Sequence, residues 1–282
     1  MPGFATRIDL RRCALAISVL LDLDLGNHPQ GIEVAGVPTV LVTWRECRTA
    51  LGGLSPDSED GRFRLGRWFL RRRWIADHTL DDLAERARPV GLPHAHALHP
   101  GDSWVRERVV GESLDLGLGF RGIQPGQPDR VIVVPEGVFE AAGTDVGRFW
   151  TEARWYLEKM GALALERWWR DRAAVVRPMG DCDVVTLLGS RVFRTAVTAD
   201  ESQRMRAAIV PMRTRGWLDV SRIDPAFGPA AATATEAVDR GFARPVLLTA
   251  DEVSVVPAGG RPQAALEDPA PQRDWLRPLV YR

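Results

Sequence analysis

The spacing of apolar and polar positions changes period several times along the chain, and each change predicts an element. The run "CALAISVLL" (13–21) continues an amphipathic approach, and Thr6 with Asp9 three residues later has the form of a helix N-cap. "GVPTVLVT" (36–43) is β-branched and predicts a strand, whereas "GGLSPDSEDG" (52–61) predicts a loop. From Arg64 to Ala76, the residues Leu65, Trp68, Phe69, Ile75 and Ala76 fall on one helical face. A second helix is predicted from Leu80, capped by Thr79, to Arg88, where Pro89 ends it.

Residues 89–130, rich in Gly and Pro, predict an irregular connection or short strands held by turns. "RVIVVPEGVFEAAG" (130–143) predicts a buried strand, then a proline opening one or two helical turns. The clearest period runs from Val146 to about Arg172, where Phe149, Trp150, Ala153, Leu157, Met160, Ala164, Leu165 and Trp168 mark a long amphipathic helix, with Gly161 placed for a bend. "DVVTLL" and "RVFRTAV", separated by Gly189 and Ser190, predict a hairpin, and Thr198 with Glu201 predicts the start of another helix. "AAIVPM", "PVLLT" and "VSVVP" are short strand candidates. The sum is an α+β fold with mixed sheets, a long amphipathic helix and two unequal lobes: an α-rich one over 1–125 and an α+β one over 130–257. A flexible tail with an apolar end, "WLRPLVYR", is expected over 258–282.

Composition narrows the class. At 45% hydrophobic and 26% charged, the 282-residue chain has the make-up of a globular protein that builds its core without disulfide or metal staples. Basic and acidic residues number 37 each, so no global field steers it to nucleic acid or an anionic membrane. Lys159 is the only lysine. Cys13, Cys47 and Cys182 are few and far apart, which argues against a disulfide framework and for a reducing cytoplasm. The run 13–21 is well short of the ~20 apolar residues a membrane span needs.

Against that background four motifs carry candidate chemistry. "HAHALHPGD" (94–102) holds three of the five histidines and an aspartate. In an extended segment His94 and His96 point to one side and can share a divalent metal, with His99 or Asp102 as a further ligand. "GLGFRG" (117–122) satisfies G-x-G-x-x-G, but Pro125 and Pro128 prevent the helix on which a dinucleotide pyrophosphate would sit, so a turn or bulge is expected. "GDCDVVTLL" (180–188) resembles the D-x-D strand of polymerase β-like nucleotidyltransferases, which implies a divalent ion on Asp181 and Asp183. That family's Gly-Ser turn precedes its carboxylates, whereas Gly189 and Ser190 follow them here. "RLGRWFLRRRW" (64–74) sets Arg67, Arg71, Arg72 and Arg73 on a helix as a candidate phosphate-backbone surface.

Trp155, Tyr156 and Trp169 fall off the main stripe of the long helix and form a candidate interface. No Ser/His/Asp or Cys/His pairing assembles from local signatures. The leading expectation is therefore a non-catalytic cytoplasmic component that binds a protein partner or its own copies through aromatic surface. The alternatives are a metal-dependent enzyme on a phosphorylated or polar substrate, using the 94–102 cluster, and an arginine-led nucleic-acid binder.

Overall fold

The computed structural model describes residues 5–94, 96, 99, 104, 106–109, 113–171, 175–201, 204–218, 220 and 223–256. The expected tail over 258–282 and Asp102 lie outside them.

Helix α1 (Arg7–Leu21) opens with the expected capping box, in which Thr6 and Asp9 satisfy each other's backbone N–H. Strands β1 (Leu25–His28), β2 (Gly31–Val34) and β3 (Val40–Thr43) form an antiparallel sheet in that order. Helix α2 (Trp44–Leu51) comes next, then α3 (Glu59–Ala76), which starts five residues before Arg64 because the Ser58 hydroxyl caps the Gly61 N–H. Helix α4 (Leu80–Arg86) is capped by Thr79 as expected. These helices and sheet bury Leu10, Ile17, Ile32, Val42, Leu65 and Phe69 together.

The stretch expected to be irregular resolves into a second antiparallel sheet. β4 (Ala87–Pro93) pairs along the whole of β6 (Leu114–Arg121), whose other edge takes β5 (Arg106–Val109) and then β7 (Val131–Val133). After Pro135 come α5 (Glu136–Ala141) and the long helix α6 (Gly147–Asp171). Gly161 does not break α6; without a Cβ it admits the Ser190 side chain, which a methyl group there would meet. α6 lends Phe149 and Ala153 to the first core, and Leu157, Met160, Ala164 and Leu165 to a second. β6 divides likewise, with Leu118 and Phe120 in the first and Leu114 and Leu116 in the second.

The second core is closed by β8 (Val175–Val176), α7 (Val184–Leu187), α8 (Arg191–Thr198), β9 (Arg206–Met212), β10 (Arg215–Trp217), α9 (Phe227–Ala234), β11 (Val246–Leu248) and β12 (Val253–Val255). The strands form one antiparallel sheet ordered β12-β11-β9-β10-β8. The expected hairpin over 183–197 is instead the helix pair α7–α8. Asp183 accepts from the Thr186 N–H and Ser190 from the Phe193 N–H, so two caps start two short helices where apolar runs alone suggested strands. No helix begins at Thr198, which ends α8 with its hydroxyl donating back to the Arg194 carbonyl.

The β4/β6 sheet is covered on both faces. One carries Leu116, Leu118 and Phe120; on the other, Val90, Leu92, Val131, Val133 and Trp104 form a small third core. Gly117 lets the Trp104 indole lie on the strand, and the indole N–H donates to the Leu118 carbonyl at 3.1 Å. The open edge of β4 is finished by side chains: the Gly91 N–H donates to the Thr186 hydroxyl at 2.8 Å, and Arg213 donates to the Gly91 carbonyl at 3.1 Å. A Cβ at residue 117 would overlap the Trp104 ring. Gly117→Ala is expected to lower unfolding free energy by about 1–3 kcal/mol in guanidinium titrations, as overpacked cores do.

Candidate metal centre

The path of the chain as it leaves β4 shapes the histidine cluster. The His94 N–H continues the ladder to the Ser113 carbonyl at 3.2 Å. Two tight turns come next, closed by His96 N–H to the Pro93 carbonyl and His99 N–H to the His96 carbonyl, each at 2.9 Å. Turning chain does not alternate its side chains as a strand does. The expected pairing of His94 with His96 is therefore replaced by His94 with His99, whose ring centroids lie 5.8 Å apart.

The carboxylate between them comes from β6. Asp115 Oδ2 stands 2.9 Å from His94 Nδ1 and 2.9 Å from His99 Nε2. One ligand atom from each of the three residues lies within 4.8 Å of the others, which makes this the candidate metal-holding group among the described residues. The Asp115 side chain is 1% exposed, that of His99 8% and that of His94 54%, so the group is walled on the protein side and open at His94. Trp104 packs edge-on against His99, at 5.4 Å between centroids and 90° between planes. The same indole that needs Gly117 thus also holds a site imidazole.

His96 is buried and is not part of this group. Burial, and then the Arg213 guanidinium, push its imidazole down to about 3, so it is neutral at physiological pH. Asp115 lies outside the 94–102 motif, on β6. Its signal is a lone charge in "LDLGLGF" (114–120), a run that is otherwise apolar or glycine and wholly buried.

The other singled-out residues are dispersed. Asp181 receives Arg88 Nε at 2.6 Å, the Tyr156 hydroxyl at 3.3 Å and Arg121 Nη1 at 3.5 Å. Asp183, the cap of α7, also pairs with Arg213. The two aspartates therefore belong to structural pairs and a helix cap, not to one face of a strand. Tyr156 faces inward, its oxygen accepting from the Asp181 N–H at 3.0 Å while Arg88 stacks on its ring. Trp155 and Trp169 face outward at 61% and 56% exposure. Arg71 and Arg72 are buried on α3, where Arg72 Nε meets Glu46 at 3.1 Å. Arg73 bonds Asp77 and the Pro38 carbonyl, and Arg67 lies over the Phe63 ring. Burial pushes the Cys13 thiol up to about 11 and that of Cys47 to about 12, and raises Cys182 well above its usual value. These thiols pack as core residues rather than serving as nucleophiles.

Comparison of the chain with protein-family models, with curated proteins and with solved structures returns no match.

Neighbours on α6 are expected to separate cleanly by mutation. Tyr156→Phe strands the half-buried Asp181 N–H and should cost about 1 kcal/mol, whereas Trp155→Ala on the outer face should stay within about 0.5 kcal/mol, both read from denaturant midpoints.

Proposed function

We propose that this chain is a metal-dependent enzyme acting on a polar or phosphorylated substrate, with one divalent transition-metal ion held by His94, His99 and Asp115. The observation that carries the proposal is the convergence of two imidazole nitrogens on a single buried carboxylate oxygen, each at 2.9 Å. Nitrogen-rich donors with one carboxylate suit zinc, iron(II) or manganese better than calcium or magnesium, which favour all-oxygen sets. Three protein ligands leave coordination positions for water and substrate, and the exposed side at His94 is where both would enter. Bound there, such an ion supplies Lewis-acid polarisation and an activated water. The chain's own contribution is orientation: β6 fixes Asp115, the two turns aim the imidazoles, and Trp104 stops the His99 ring from swinging.

Titration of chelator-treated, untagged protein with zinc(II), manganese(II), anaerobic iron(II) or cobalt(II) is expected to give one equivalent bound. Cobalt should develop ligand-field absorption, and metal at 100 times Kd should add about 2.7 kcal/mol of stability. Protons compete for the imidazole nitrogens, so affinity should fall at acidic pH. His94→Ala, at the exposed ligand, should weaken binding at least about tenfold, in line with losing one donor, and Asp115→Asn should abolish it. No binding, or full binding by Asp115→Asn, overturns the assignment.

A second reading, docking of a protein partner, is favoured by Trp155 and Trp169 on the outer face of α6. Beside Trp155, a shallow groove is lined by Trp150, Thr151, Arg154 and Glu158. A photo-crosslinking phenylalanine analogue at position 155 should join a discrete partner in native extract, and the adduct should disappear in Trp169→Ser. Its persistence there counts against a shared surface.

A further inference from the structure

Helix α1 has two apolar faces, and the fold uses one. Leu10, Cys13, Ala14 and Ile17 are buried in the first core. On the opposite side Ile8, Leu15 and Val19 stand in a stripe at helical spacing, with Leu20 at its flank, each more than two-thirds exposed. Large apolar side chains exposed in this number on one helix face are characteristic of an interface.

The charges beside the stripe identify what covers it. Arg7, Arg11 and Arg12 are exposed along its N-terminal half, whereas Asp22 and Asp24 are exposed just past its C-terminal end. Arg12 is engaged by Asp9, and Arg11 lies over the Trp44 ring. Among the described residues, no ion pair engages Arg7, Arg11, Asp22 or Asp24. A helix that is basic at one end, acidic at the other and apolar between complements itself when turned end for end. Across a two-fold axis near Leu15, Leu15 would meet its own copy, Val19 would lie level with the partner's Arg11, and Arg7 and Ile8 would lie level with its Asp22. Such a contact is isologous, so it closes at two chains, and antiparallel helix dipoles add to it.

We infer that α1 docks antiparallel on α1 of a second copy of this chain. The inference is independent of the metal centre. Sedimentation equilibrium of the full chain from about 1 to about 100 μM should show reversible association to twice the 31.2 kDa chain mass. Leu15→Glu should abolish association while leaving the circular-dichroism melt unchanged, because Leu15 is 70% exposed in the single chain. Asp22→Arg should raise the dimer Kd at least about tenfold, more at low salt than at high, and adding Arg7→Asp should recover most of the loss. A single-chain mass across the whole range overturns the inference, as does a dimer that survives Leu15→Glu. Flotation of the full chain with phosphatidylserine vesicles, lost in Leu15→Glu, also overturns it, by making a lipid surface the occupant of the stripe.

Discussion

Strand β6 lies in a sheet covered on both faces, and that burial governs most of the molecule's specific features. A strand buried on both sides has no polar face, so any charge in it must find partners inside the protein. Asp115 is such a charge, 1% exposed, and it is met by His94 and His99 from the chain that leaves its neighbour β4. Two residues along, Gly117 makes room for Trp104, whose ring braces His99. The packing requirement of the strand and the geometry of the centre are consequently one arrangement.

The same sheet joins the two large cores. β6 and α6 each contribute side chains to both, so neither core closes without elements the other also uses. Polar contacts tie the junction where apolar packing stops. Thr186 and Arg213, from beside the second core, satisfy the backbone of Gly91 on β4, and Asp181 gathers Arg88, Arg121 and Tyr156. These contacts sit in partly or wholly dehydrated surroundings, where a lost partner costs more than on the surface. They anchor β4, the strand from which the chain runs on to His94, to elements beside the second core. His96 shows the cost side of that burial: burial and then the Arg213 guanidinium keep it neutral.

Local chemistry was legible wherever a short-range rule decides. The caps at Thr6 and Thr79, the strand near Val40, the amphipathic period of α6 and the helix entry at Pro135 all involve residues within a few positions of one another. The α7–α8 region misled because a continuous apolar run has no period to tell a buried strand from a buried helix. There the caps at Asp183 and Ser190 decide. Arg72 differs from its expected exposure for a related reason, since an arginine on a helix is read as exposed until Glu46, on another helix, gives it a buried partner.

By itself, then, the sequence determined the α+β class, the long helix and the main caps, because period and capping act over one or two turns of chain. Tertiary structure alone decided which histidines converge and on which carboxylate. His94 and His99 meet Asp115 sixteen or more positions away, across a register set by the β4–β6 pairing and not by spacing along the chain. It likewise decided that Tyr156 faces inward and Trp155 outward, because that depends on which side of α6 the second core occupies.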